Sequence, residues 1–345
     1  MIVRAKAPLR ISLAGGGTDV SPYCDIYGGA ILNATIDMYA YATIEPLDNG
    51  EIILESIDLR TKLQYHSSHT LPIDGKLDLI KAVYNHLVKN FNDNQPLSFK
   101  LTTYVDAPAG SGLGTSSTLV VTVLGAFAEW LKLPFGEYDI AHLAYVIERK
   151  DLNLAGGKQD QYAATFGGFN FMEFYENDKV IVNPLRIKPN ILNELEMRML
   201  IYNTGKSRLS SKIIENQVEN VKSKRSDSIE AMHLLKEQAY LMKNALLKEK
   251  LDEIGEILHF GWENKKKMAN GITNPIIDEI YEAALKAGAT GGKVSGAGGG
   301  GYMMFYCPNN TKYKVAETLQ KFGGEVRNVR FVIEGLQTWR VQNGL

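Results

Sequence analysis

The residues with the most evident chemical potential are Pro108-Ala109-Gly110-Ser111-Gly112-Leu113-Gly114-Thr115-Ser116-Ser117. Three glycines alternate with small or hydroxylic residues and run into Thr118-Leu119-Val120-Val121, where a helical apolar pattern begins. Without a Cβ in the way, consecutive backbone N–H groups can turn toward one point. At a helix start those donors add to the positive end of the helix dipole and make an anion site. Thr115, Ser116 and Ser117 add hydroxyls, one of which could ligate a magnesium ion. This is no Walker loop, since no G-x-x-x-x-G-K-[ST] occurs in it. A turn with an N-cap is the plainer reading. Three Gly and four Ser/Thr in eight residues favour phosphate binding over it.

Three other stretches carry chemistry with a structural alternative beside it. In Ala14-Gly15-Gly16-Gly17-Thr18-Asp19 the triplet is either a loop or a flexible approach that lets Asp19 hydrogen-bond a polyol. In Ala155-Gly156-Gly157-Lys158-Gln159-Asp160-Gln161, Asp160 reads equally as a helix N-cap or as a base. In the second case Lys158 would hold it ionised or hold a substrate anion. Residues 291–301 hold five glycines in the six positions 296–301, directly before an apolar strand. Such a run costs too much entropy for a core element and points to close backbone approach, to a ligand or to another domain. By itself Glu148-Arg149-Lys150-Asp151 reads as a solvated helix end, and Thr204-Gly205-Lys206-Ser207-Arg208 as a small basic turn.

The elements that must position these residues follow from periodicity. Strands are expected at 2–5, 9–13 and 40–44, a hairpin at 52–54 and 62–65, and a strand at 97–105. Helical spacing marks 77–88, 119–131 and 138–150. A strand pair opening at 167–172 closes a first domain, and the apolar pattern lapses at 184–189. Beyond it come a strand at 197–203, mostly helix over 211–258, and a helix from Asn274-Pro275 to Gly288. A helix at 311–322 and a strand at 325–332 complete a second, α+β unit.

Size and composition agree with two domains: 345 residues, 45% hydrophobic and 22% charged. Lys+Arg 38 against Asp+Glu 39 gives a net charge of −1, which argues against a dedicated nucleic-acid or membrane-surface binder. Cys24 and Cys307 stand far apart, in no zinc spacing, so neither disulfide nor zinc is expected. The N-terminus lacks an apolar leader and no run is long enough to span a bilayer, so a cytoplasmic protein is expected.

The Gly-rich segments at 8–19, 108–117 and 291–301, with Glu148 and Asp160 between them, resemble the GHMP small-molecule kinases. That family is named for its galactose, homoserine, mevalonate and phosphomevalonate kinases. The likeness runs through nearly the whole chain, and P-x-x-x-G-L-G-[ST]-S is highly specific. It implies an α+β fold: an N-terminal domain over 1–183 like domain 2 of ribosomal protein S5, a ferredoxin-like domain over 184–345, and ATP and substrate between them. By motif position, Gly110, Ser111, Gly112, Leu113, Gly114, Thr115, Ser116 and Ser117 match the loop around the ATP phosphates. Ser116 and Glu148 match the Mg2+ ligands. Asp160 matches the catalytic aspartate of the sugar-kinase branch, and Arg10 the basic residue paired with it. Gly16, Gly17, Thr18 and Asp19 match the sugar-binding segment, Asp19 as the hydroxyl ligand.

Galactokinase-like members carry Gly-Glu-His before Thr-Asp, whereas this chain has Gly15-Gly16-Gly17. Together with Gly157-Lys158-Gln159-Asp160-Gln161, the triplet most resembles the bacterial D-glycero-D-manno-heptose 7-phosphate kinases, and next the L-fucokinase domain. The resemblance implies phosphorylation of the anomeric C1 hydroxyl of a small-molecule sugar phosphate, for nucleotide-activated heptose and surface polysaccharide. A phosphate already on C7 needs cations, and Lys158, Lys206 and Arg208, beside the Gly-rich turns, are the expected ones. The alternatives are a kinase of a free sugar such as L-fucose, or a sugar and ATP sensor that has lost catalysis.

Overall fold

A long N-terminal strand, β1 (Ile2–Ala14), carries the first functional side chains to the middle of the molecule. Sequence alternation suggested two short strands, but the chain is continuous, because from Ala7 to Ala14 both faces are buried and alternation disappears. Between Pro8 and Arg10 its register on β2 (Gly29–Pro46) shifts by a bulge. Val3, Ala5 and Ala7 therefore join one core, whereas Leu9, Ile11 and Leu13 join another. The bulge turns Arg10 and Ser12 to the face that Val3 and Ala5 occupy further back. It aims both at the site.

The structure, a computed structural model, describes residues 1–205 and 210–342. The remaining strands of the first sheet are β3 (Glu51–Ser56), β4 (Thr61–His66), β5 (Phe99–Val105), β6 (Phe169–Phe174) and β7 (Val180–Pro184). Four more, β8 (Met199–Asn203), β9 (Gly291–Val294), β10 (Tyr302–Tyr306) and β11 (Glu325–Asn328), form a separate sheet, and β12 (Gln337–Val341) ends the chain. The first sheet has the order β12-β1-β2-β5-β3-β4, with β6 beside β2 and β7 beside β6. Helices Asp78–Phe91, Thr115–Leu131, Glu137–Val146 and Gln159–Phe166 pack on it around Val120, Val121, Leu124 and Phe127.

The second sheet runs β11-β8-β10-β9, all pairs antiparallel. Numbered within the unit this is 4-1-3-2, with helices between its first and second and its third and fourth strands, the split βαβ arrangement of a ferredoxin-like domain. Asn274 caps its helix as expected: the side-chain oxygen accepts from the N–H groups of Ile276 and Ile277, with Pro275 at the first position.

Two expectations about boundaries need correction. The lapse at 184–189 conceals a helix, Pro189–Arg198, which buries only Ile191 and Leu195 and so shows too thin a stripe to read. Nor do all the described residues of 184–342 lie on the second sheet. After β11 the chain returns to the first sheet, where β12 pairs antiparallel with β1. Among the described residues no helix is long and apolar enough to cross a membrane.

Candidate active site

Each glycine of the 110–117 loop at an alternate position has φ in the left-handed region: Gly110 at 76°, Gly112 at 80° and Gly114 at 80°. The loop is held from both sides. Arg10 N–H donates to Leu113 O at 3.1 Å, and Leu113 is fully buried. Gly112 O accepts from Arg10 Nη1 at 2.6 Å and from Ser295 Oγ at 2.8 Å. Gly114 caps the helix Thr115–Leu131, whose first-turn hydroxyls divide: Thr115 and Ser117 are buried, while Ser116 is exposed. Ser111 is buried, and its Oγ accepts from Leu113 N–H at 3.3 Å, so it shapes the loop from behind.

Two glycines of 291–301, Gly296 and Gly301, are explained by approach to the 110–117 loop of the other unit, while Gly291, Gly292 and Gly298 meet neighbours within their own unit. A Cβ on Gly112 would lie 2.5 Å from Ser295 O, and one on Gly301 would lie 2.4 Å from Ser111 O. Tyr302 N–H donates to Ser111 O at 2.9 Å. Two backbones meet there with no room for side chains.

Asp160 lies in the first turn of Gln159–Phe166; the N-cap position is Lys158, so the capping reading of Asp160 falls. Its Oδ1 takes Arg10 Nε at 2.8 Å and Nη2 at 2.7 Å. A Cβ on Gly114 would be 3.3 Å from that carboxylate, which places Asp160 directly over the loop. Asp19 is buried beside it, Oδ2 accepting Gln159 N–H at 2.9 Å. Burial, and then the charge of Asp160, push its pKa up. Gly157 makes this contact possible, because a Cβ there would fall 2.0 Å from Asp19 Oδ2.

Glu148 corrects the reading of its stretch as a solvated helix end. Helix Glu137–Val146 widens into a π-helical turn, Ile147–Asp151, with Glu148 at 1% exposure. Gln161 Nε2 donates both to Ser117 Oγ and to a Glu148 oxygen, and so ties loop and carboxylate together. Arg149 Nη1 stands 3.7 Å from the other oxygen.

One cavity of about 290 Å³ gathers most of the expected residues: Arg10, Gly16, Gly17 and Asp19, then Gly110, Gly112, Gly114, Thr115, Ser116 and Ser117, with Glu148 and Asp160. Thr18 is not among them. Its hydroxyl is fully buried within reach of Gly15 O and Ala30 O, and it shapes the turn rather than meeting a substrate. Lys158 also departs from expectation. Its ammonium is buried 3.1 Å from Asp178 Oδ1 and 3.6 Å from Asp25 Oδ1, already neutralised there. Lys206 and Arg208 lie outside the described residues.

Residues not anticipated from sequence also face the site. Lys265, on the helix Glu253–Met268, lines the cavity with Ser12 and Met268, and its Nζ donates to Gly296 O at 2.5 Å. Lys293 on β9 is 2% exposed just behind. Lys265 is the first of three consecutive lysines, yet it falls on the stripe of the buried residues Leu258, Gly261 and Trp262. That phase was the available signal.

Magnesium takes few protein ligands, completing its shell with water and phosphate oxygens. Among the described residues no group of three or more His, Cys, Asp or Glu side chains forms a metal cage. The Ser116 hydroxyl and the Glu148 carboxylate, lining one cavity beside an anion loop, suit that sparse mode.

Comparison with known proteins agrees with this geometry. The family model for the GHMP kinases N terminal domain matches residues 78–168, and that for the GHMP kinases C terminal domain matches 242–325. A protein of Campylobacter jejuni subsp. jejuni serotype O:2 named D-glycero-alpha-D-manno-heptose 7-phosphate kinase is 50% identical over 341 residues, 98% of this chain and 99% of the relative. The crystal structure of a D-glycero-D-manno-heptose 1-phosphate kinase from Bacteroides thetaiotaomicron superimposes with a TM-score of 0.85 at 49% identity, covering 99% of this chain and 100% of that one. An L-fucokinase/L-fucose-1-P guanylyltransferase of Bacteroides fragilis is 29% identical over 328 residues, 88% of this chain and 34% of the relative.

Proposed function

The chain belongs to the GHMP kinase family, and from that premise we propose that it transfers the γ-phosphoryl group of ATP to the C1 hydroxyl of D-glycero-D-manno-heptose 7-phosphate. The product is the 1,7-bisphosphate. The observation that carries the chemistry is the Asp160 carboxylate, clasped by Arg10 directly over Gly114 at the helix start. Phosphoryl transfer asks a protein mainly for alignment and charge stabilisation. The substrate assignment rests on the relative 50% identical over nearly the full length of both chains. One relative's name carries the phosphate at C7 and the other's at C1, the two positions of the proposed product.

In this reading the N–H groups of residues 110–117 hold the ATP phosphates at the positive end of the helix. Ser116 and Glu148 hold magnesium, which when bound neutralises phosphate charge. Arg10 holds the Asp160 carboxylate in place through Nε and Nη2, and Asp160 takes the proton of the attacking hydroxyl. Asp19, fixed by Gln159 N–H, accepts a hydrogen bond from another sugar hydroxyl.

The test is ADP release with ATP, magnesium and a panel of the heptose 7-phosphate, unphosphorylated heptose, L-fucose and galactose. Turnover with the 7-phosphate alone supports the proposal. Preference for L-fucose transfers the assignment to the fucokinase side, and ATP binding without turnover on any sugar contradicts a kinase.

A further inference from the structure

Gly16 lines the cavity at a point closely surrounded by polar atoms. A Cβ there would lie 3.0 Å from Ser12 Oγ, 3.5 Å from Lys293 Nζ and 3.6 Å from Lys265 Nζ. Ser12 is 3% exposed, and its Oγ has no hydrogen-bond partner among the described residues. Both lysines are 2% exposed. The charges acting on Lys293 are Lys265 and Arg10, of its own sign. Lys265 faces Asp19 and Asp160 as well, but those carboxylates are engaged by Gln159 N–H and by Arg10. A buried cation with no counter-charge is costly, and so is a buried hydroxyl with no partner. Lys293 among cations, Lys265 only partly offset, and an unpartnered hydroxyl, around a single point, form a site completed by an anion.

We propose that Ser12, Lys265 and Lys293 around Gly16 bind the phosphate monoester that the sugar substrate already carries. This rests on the reading of the acceptor as a sugar phosphate. The position favours that phosphate over those of ATP. Along β1, Arg10 N–H touches the nucleotide loop at Leu113, and Ser12 follows two residues later, about 7 Å further on. Gly16 precedes Asp19, the proposed sugar ligand, by three residues on the same cavity wall. A sugar whose reacting hydroxyl faces Asp160 reaches this point with its far end. Without a side chain at Gly16, nothing stands between the cavity and these three groups, and the two ammonium groups select a dianion. Lys158, already neutralised by Asp178 and Asp25, is not needed for this role.

The test is calorimetric titration of the full chain with heptose 7-phosphate, with unphosphorylated heptose and with ATP, in the wild type and in Lys293→Met and Gly16→Glu. Lys293→Met replaces a lone buried charge by an apolar side chain of similar length, so the fold survives it. Gly16→Glu sets a carboxylate between the cavity and these groups. Wild type should prefer the 7-phosphate to the free heptose by roughly 10–100-fold, the range of charged hydrogen bonds. Each variant should abolish that preference while leaving ATP affinity unchanged. If ATP affinity falls instead, or if the preference persists in both variants, the proposal is wrong. Equal binding of both sugars by wild type would refute the sugar-phosphate reading itself, an outcome visible before any variant is made.

Discussion

Lys265 shows how a site residue can work against the fold that holds it. Burial, and then the nearby Arg10, bring its pKa down to about 8, while Asp19 and Asp160 oppose this in part. Relative to 10.5 that represents on the order of 3 kcal/mol of stability lost at neutral pH. Between about 8 and 10.5 the unfolded chain holds the proton and the native one does not, so stability rises with pH across that window. Lys265→Met should therefore raise the urea midpoint at pH 7.5, flatten its rise toward pH 10, and impair turnover. Asp178 behaves oppositely. Burial pushes its pKa up, but hydrogen bonds from Lys150 and Lys158 outweigh this and hold it at about 2. Its contribution is present above about 4 and lost as pH falls toward 2. Asp178→Asn should destabilise by roughly 1–3 kcal/mol at pH 7, since it strips a buried ammonium of its nearer partner. Asp160→Asn should lower kcat by roughly 10²–10⁴-fold if Asp160 takes the proton, and should also lower the melting temperature, since buried Arg10 loses its carboxylate. Motif residues such as Asp19 and Asp160 were legible because Gly neighbours mark where backbone must come close. Lys293 was not, since nothing in Gly292-Lys293-Val294 says which face of a buried strand it occupies.

Elements position these groups through small departures from regularity. The bulge at Pro8 and Arg10 changes which face of β1 looks at the loop, and the π-helical turn tucks Glu148 inside. Neither has a sequence signature of its own, so the chain read as two short strands and a solvated helix end. The glycines were legible, but their purpose was divided: residues 110–117 form the loop, whereas Gly301 exists for contact with Ser111. Gly112 serves both. An alanine there would strain a left-handed backbone and drive a methyl group against Ser295 O. Gly112→Ala should cost at least about 1–2 kcal/mol of stability and raise KM for ATP more than KM for the sugar. A uniform loss of kcat with unchanged KM values would show that the loop does not bind the nucleotide.

Across the whole molecule, the two sheets share one core. Leu9, Ile11 and Phe171 of the first pack in the same cluster as Ile201, Met304 and Tyr306 of the second, with Ala239 and Met242 between them. The returning strand β12 closes the edge of β1 and fastens residues 337–341 to the N-terminal sheet. Halves with separate sheets were readable from the order of strands and helices; this crossing was not, because a short C-terminal strand carries no mark of its partner. Removal of residues 337–345 should lower the unfolding midpoint of the molecule as one transition, since the core is shared. Melting of only one half would contradict that. The central claim is tested most directly by phosphorus NMR of the reaction with heptose 7-phosphate and ATP. It predicts a new phosphate signal coupled to the anomeric proton, beside the retained C7 phosphate and stoichiometric ADP. A phosphate appearing on any other carbon, or ADP formed with no second sugar phosphate, would contradict it.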